Sequence, residues 1–449
     1  FLGTWVSPIE FTKQYSKTRK IGSNKKTMSR HYQFESNLSL TGSNADYRTP
    51  IKPSDEGKAV AALYNAIAAK TGGQTVSVKG DYKNLAKAAN DLLKAKGKSL
   101  VVSGSNDPAV QTLVNAINSM LSNYGNTIDW SKAVNYRQGN EKSMTKFIAD
   151  AKAGRVGAVI FLNSNPVYNH VKGAELKEAL SKISLKISTA DRPDETAILS
   201  DYTAPDHHFL ESWNDANPRK GTYSLTQPTI TPVFETRQAQ QSLLTWAGIN
   251  EDYYDYLQNY WKQNMPLSGN FQMAWDKALH DGIMEVQANE EEMEEMAFAG
   301  DVNQAAASIN SNYKGSGVEL AIYQKVGMGD GSQANNPWLQ EMPDPISKAT
   351  WDNYLTVSQA WARENGVTAF EGKCNKAKLT VNGKSVVVPI LIQPGQSAGT
   401  VGLALGYGRT SAGKVANGKG VDAFAFMGTL NGTTSLNIMS GVSIEVLEE

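Results

Sequence analysis

The sequence predicts an α/β region built on a parallel, Rossmann-like sheet, followed by a C-terminal β-barrel domain. Three observations carry that reading. Between residues 54 and 204, amphipathic helical runs alternate with short continuous apolar runs such as "KSLVV" and "VGAVIFL". That is the pattern of parallel strands covered by helices on both faces. From Lys378 onward, short β-rich runs split by Gly and Asn take over, as in "KLTVNGKSVVVPILI", which fits a small barrel. Between the two lies "NNPWLQEMPDPISKATWDN", Asn335 to Asn353, polar and proline-stiffened yet holding Trp338 and Trp351. A flexible linker needs no aromatics. This stretch reads as a strap anchored by its tryptophans to the surface it crosses.

The elements follow in order. Residues 28–53 alternate and carry turn residues, so they read as extended segments around a loop. A helix then follows with Ser54 as N-cap, Asp55 and Glu56 in its first turn, and Gly72 at its end. Val60, Leu63, Ala66 and Ile67 recur on one face. "DYKNLAKAANDLLKAK" gives a second amphipathic helix. A strand at Leu100–Val102 leads to a helix opened by Pro108 and capped by Asn106 and Asp107. "EKSMTKFIADAKAG", "VGAVIFLNSNP" and "KGAELKEALSKI" repeat helix, strand, helix. From 240 to 345 the pattern weakens into aromatic-rich helices such as "EDYYDYLQNYW". These suit an interface core or ordinary burial within the chain. The acidic run in "EVQANEEEMEEMAF" reads as a solvated helix face. "VNGK" reads as a type I′ hairpin turn.

The 449 residues suffice for about three domains. Lys plus Arg equals Asp plus Glu at 44 each. A neutral chain carries no electrostatic footprint for nucleic acid. Cys374 is the one cysteine, so intrachain disulfides, cysteine-held clusters and covalent haem are excluded for this sequence. No 18-residue apolar run is present to span a membrane. No secretory signal is read, and the abrupt ends lead us to expect a piece of a longer polypeptide.

No HExxH, GxSxG, GxxxxGK[ST] or post-strand GxGxxG motif occurs. His207 and His208 are adjacent and diverge on regular structure, so a surface or hydrogen-bonding role is expected of them. Catalytic and metal-ligating residues are therefore assigned to none. In parallel sheets, ligands sit beyond the carboxyl ends of strands. Here those ends carry "SGSNDP" and "LNSNPVYN", while the barrel carries the Gly-rich "GYGRTSAG". The candidates for a vestigial pocket are Ser103, Asn106, Asp107, Asn163, Asn165, Gly406 and Arg409.

Several stretches resemble the molybdopterin oxidoreductase superfamily: "LTGSNADYRTPIKPSDEGKAVAAL", "KSLVVSGSNDPAVQTLVNAIN", "VGAVIFLNSNPVYN", "DETAILSDYTAPDHHFLESWNDANPRKGTYSLTQPTITP" and "VPILIQPGQSAGTVGLALGYGR". "FLGTWVSPIEFTKQY" with "MSRHYQFESNLSLTGSNADYR" resembles, more narrowly, the large iron–sulfur, molybdopterin-oxidoreductase-like subunit of bacterial alternative complex III. The resemblance implies four segments: a partial α/β domain at 1–75, a Rossmann-like domain at 76–240, a helical connection and strap at 241–349, and a dinucleotide-domain-like barrel at 350–449. It implies a cofactor-free scaffold in a quinol:electron-acceptor oxidoreductase of the respiratory chain, not catalytic by itself. Iron–sulfur clusters would lie in a part of the polypeptide not shown. The implied partners are a multihaem cytochrome c and a quinol-oxidising integral membrane subunit, at the periplasmic face of the inner membrane. Where cofactor-bearing members have "PGTD", this chain has Pro53-Ser54-Asp55-Glu56, whose extra carboxylate would oppose a phosphate-rich ligand. The alternatives are a working molybdopterin enzyme lacking its N-terminal domain here, and a nucleotide-binding module using 103–107 and 163–169.

Overall fold

The computed structural model describes residues 1–449 except 137, 268, 287–296, 371–372 and 448–449, with the side chains of 369, 370 and 373 also left aside. The acidic run lies largely outside the described residues. The chain forms two compact units, 1–128 with 297–449, and 129–296.

The first stretch of unit one pairs β1 (Tyr32–Glu35) in parallel with β2 (Tyr47–Pro50). It continues through α1 (Pro53–Thr71), α2 (Leu85–Lys94) and α3 (Pro108–Met120). Gly72 ends α1 in the left-handed conformation, φ 77°, as its position in the sequence predicts. Asp107 caps α3 by accepting the Ala109 N–H, and Pro108 opens it. Asn106 takes no part in that cap; its amide donates to the Thr434 carbonyl. Ser54 also departs from expectation. It lies inside α1, behind Lys52 and Pro53.

The expected strand at Leu100–Val102 does not form. The amide of Asn118 on α3 accepts the Val101 N–H and donates to the Val101 carbonyl. A side chain therefore satisfies the backbone that a neighbouring strand would otherwise pair. Ile67, Leu113, Ile117 and Leu121 are fully buried in the core between α1 and α3, joined by Ile309.

The second unit holds α4 (Glu141–Lys152), β3 (Ala158–Phe161), α5 (Gly173–Leu180), β4 (Leu185–Ser188) and β5 (Tyr202–Thr203). The strands β3, β4 and β5 make a parallel sheet. Ile148, Leu176 and Leu180 pack against Phe161 on one face. Ile160 and Leu185 remain exposed, so the expected helical cover on both faces is met on one. The unit continues through β6 (Asn214–Arg219) and β7 (Thr222–Thr226), then α6 (Tyr253–Asn264), α7 (Phe271–Asp281) and β8 (Ile283–Glu285). The aromatic helices bury Trp261 and Trp275 completely within the unit, against Trp213, Tyr223 and Tyr254. Ordinary burial, rather than an interface, accounts for these two tryptophans.

The chain returns to unit one with α8 (Val302–Asn312) and β9 (Val318–Tyr323). The barrel strands follow: β10 (Leu355–Val357), β11 (Lys376–Val381), β12 (Lys384–Ile392), β13 (Thr400–Ala404) and β14 (Asn437–Leu447). They close in the order β10-β12-β11-β14-β9-β13. A barrel begun at residue 350 omits β9, which pairs in parallel with β13 and antiparallel with β14. Asn382 (φ 49°) and Gly383 (φ 83°) make the expected hairpin turn between β11 and β12.

The strap is ordered, but Trp338 does not anchor it, being 80% exposed. Amide side chains hold it instead. Asn335 accepts the N–H groups of Val415 and Ala416. Gln340 donates to Ala334. Asn353, fully buried, bridges the Ala404 and Val421 carbonyls and accepts the Val421 N–H.

Candidate functional site

The seven sequence-predicted residues fall in three loops. Ser103, Asn106 and Asp107 lie together before α3. The Ser103 hydroxyl accepts the Ser105 N–H, its carbonyl accepts from Gln111, and Asp107 additionally accepts from Asn431. Asn163 and Asn165 follow β3 in the second unit, at the carboxyl ends of the parallel strands. Asn163 adopts φ 45°, donates to Asp206 and accepts from the Thr189 hydroxyl. Asn165 donates to Glu195 and accepts from Thr196. Gly406 and Arg409 follow β13. A side chain at Gly406 (φ 96°) would meet Met328 at 2.8 Å, and Arg409 donates to the Gly331 carbonyl at 2.7 Å. In the Gly-rich stretch, Asn417 accepts from Ala412 and Gly413 while Asn335 takes Val415 and Ala416. These backbone donors serve asparagine side chains and not an anion nest.

A second constellation was only half visible in the sequence. Glu35 at the end of β1, Glu56 in α1 and Glu319 on β9 gather around the N-terminus of α1. Glu35 pairs with Arg48 and accepts from Ser39. Glu56 accepts from the Ser36 hydroxyl at 3.1 Å and the Asn437 amide at 2.7 Å. Glu319 accepts both the N–H and the hydroxyl of Ser54, at 2.8 and 2.7 Å. Desolvation, then the charges of Glu319 and Glu35, outweigh the two hydrogen bonds and push the Glu56 carboxyl up to about 7. The sequence signal for Glu319 was a carboxylate inside the apolar run "VELAIY", where an acid needs a buried partner.

The raised Glu56 carboxyl makes the fold bind a proton between about pH 4.5 and 7 that the unfolded chain has released. Its contribution to stability is full below that window and lost as pH rises through it. Glu56→Gln is expected to gain about 1–2 kcal/mol over the parent at pH 8 relative to the same comparison at pH 5. Denaturant midpoints of both proteins at the two pH values measure this; an unchanged difference contradicts it.

No protein-family model matches the chain. Its sequence is 24% identical over 311 residues to the menaquinone reductase molybdopterin-binding-like subunit of Nitratidesulfovibrio vulgaris, which covers 67% of this chain and 43% of that protein. The chain thus spans less than half the length of that curated relative. Its structure superposes on acetylene hydratase from Pelobacter acetylenicus with a TM-score of 0.65, at 11% identity, over 92% of this chain and 73% of that one. The chain shares the fold of acetylene hydratase. Parallel sheets and a C-terminal six-stranded barrel are its parts here.

The residues present do not fit a pterin dinucleotide at α1. A pyrophosphate there needs free backbone donors and positive potential. This helix start instead meets three carboxylates, and the Ser54 N–H is already taken by Glu319.

Proposed function

We propose that this chain is a scaffold without a molybdenum cofactor, within the iron–sulfur subunit of a membrane-associated quinol:electron-acceptor oxidoreductase of the alternative complex III kind. The carrying observation is the carboxylate cluster at α1, in the segment where cofactor-bearing relatives have "PGTD". The relative's name supports quinone chemistry and a multisubunit setting. On this reading the fold positions a cluster-bearing region of the polypeptide beside a multihaem cytochrome c and a quinol-oxidising membrane subunit, at the periplasmic face. Its contribution is orientation and electrostatics, not bond-making. On this reading attachment runs through those partners; no helix among the described residues is long and apolar enough to cross a membrane. That name also favours a second reading, in which the complex reduces menaquinone; the same scaffold serves either direction.

Elemental analysis of the purified complex tests the proposal. Iron is expected in stoichiometric amounts, molybdenum and tungsten in traces, with no pterin fluorescence after oxidative extraction. Stoichiometric molybdenum or pterin overturns it.

A further inference from the structure

The start of α1 has been filled from within. Of its first three positions, Pro53 has no N–H, Ser54 donates to Glu319, and Asp55 donates to the Lys52 carbonyl at 2.9 Å. Glu319 arrives from a barrel strand 265 residues later and is 1% exposed. Its two oxygens take the Ser54 N–H and hydroxyl, as two phosphate oxygens would. The surrounding backbone is shaped to admit it. A Cβ on Gly315 would stand 2.0 Å from a Glu319 oxygen and 2.4 Å from the Ser54 hydroxyl. The Glu319 carboxyl is held by these donors at the helix N-terminus and forms no ion pair among the described residues.

We propose that Glu319 is a built-in replacement for a ligand phosphate: its carboxylate occupies the α1 N-terminus and excludes phosphate-bearing cofactors from this chain. The inference deepens the scaffold reading and rests on it. Glu319 thereby becomes the residue that decides ligand exclusion. Glu35, and Glu56 once it ionises above about pH 7, add like charge around the same spot.

The test uses the full chain in its complex, with inorganic pyrophosphate as probe, at roughly pH 6, where Glu56 is largely protonated. The parent protein is expected to melt at one temperature with or without millimolar pyrophosphate, and its 53–57 amides to exchange hydrogen at an unchanged rate. Glu319→Ala is expected to be less stable. Saturating pyrophosphate should then raise its melting temperature by roughly 2–4 °C and protect 53–57 from exchange. Glu319→Ser, which keeps a hydroxyl near Ser54, serves if the alanine variant does not fold. Two results overturn the inference: pyrophosphate protection at 53–57 in the parent protein, or folded Ala and Ser variants that gain none. Failure here leaves the scaffold reading standing on its metal analysis, whereas molybdenum in the complex removes that reading whatever pyrophosphate does.

Discussion

Trp261→Ala is expected to destabilise residues 129–296 by about 3–5 kcal/mol, the range for emptying a buried tryptophan site. Trp261 is fully buried and packs edge-on against Trp275, with ring centroids 5.6 Å apart at 90°. It also meets Tyr223 in a T-shaped contact. Its indole N–H donates to Asp215 on β6 at 2.8 Å, so truncation leaves that carboxylate without its donor. The contrast with Trp275 sharpens the prediction. Trp275 is equally buried, but its N–H has no hydrogen-bond partner among the described residues. Trp261→Phe should therefore cost about 1–2 kcal/mol beyond Trp275→Phe, which removes an unsatisfied donor. Hydrogen exchange resolved by segment is the measurement. Lost protection should concentrate in 129–296, because 1–128 with 297–449 has a separate core. Equal costs for the two phenylalanine variants would contradict the argument.

What could be read from the sequence was local chemistry. Gly72 stops α1 because the left-handed conformation suits glycine. Asp107 and Pro108 open α3, and Asn382-Gly383 turns the hairpin. Each signal lies within a few residues of the feature it causes. The misses are long-range. β9 joins the barrel by pairing with strands about 80 and 120 residues later. Leu100–Val102 has the composition of a strand, but Asn118 claims its backbone. Ser54 has the residue type of an N-cap, but Glu319 claims its hydroxyl and N–H. Trp338 looked like an anchor, yet the strap is held by Asn335, Gln340 and Asn353, whose amides gave no periodic signal. The seven pocket candidates were chosen by topology, which places loops but not the partners their side chains find. At Asn163, Asn165 and Asp107 those partners are internal.

Lys325→Met is expected to stabilise the protein at neutral pH, against the usual sign for removing a charge. Lys325 follows β9, is 5% exposed, and lines a small cavity with Met328, Leu339, Asp344, Trp351 and Tyr407. Its ammonium donates to the Asp352 carbonyl at 3.3 Å and the Tyr407 hydroxyl at 3.2 Å, and lies 4.3 Å from the Tyr354 ring centroid. No carboxylate among the described residues forms an ion pair with it, so the more distant Asp344 and Asp352 offset burial only in part. Desolvation brings the amine down to about 8. Between about pH 8 and 10.5 the unfolded chain holds a proton that the folded chain has lost, so stability rises with pH across that window. Below it the fold carries a penalty of about 3 kcal/mol. Methionine removes that penalty but leaves the Asp352 carbonyl and Tyr407 hydroxyl without the amine, which costs about 1–2 kcal/mol. The net gain at pH 7 is about 1–2 kcal/mol, reversing by pH 10.5 as the parent lysine discharges. Burial holds the Tyr354 and Tyr407 phenols beside it well above their usual range, so up to pH 10.5 the difference between the two denaturation curves reports Lys325. A parent that is more stable than the variant by the same margin at pH 7 and pH 10.5 would show that the ammonium is well solvated or paired. With it would fall the idea that a strap with positive φ at Lys348 and Trp351 closes over an uncompensated charge.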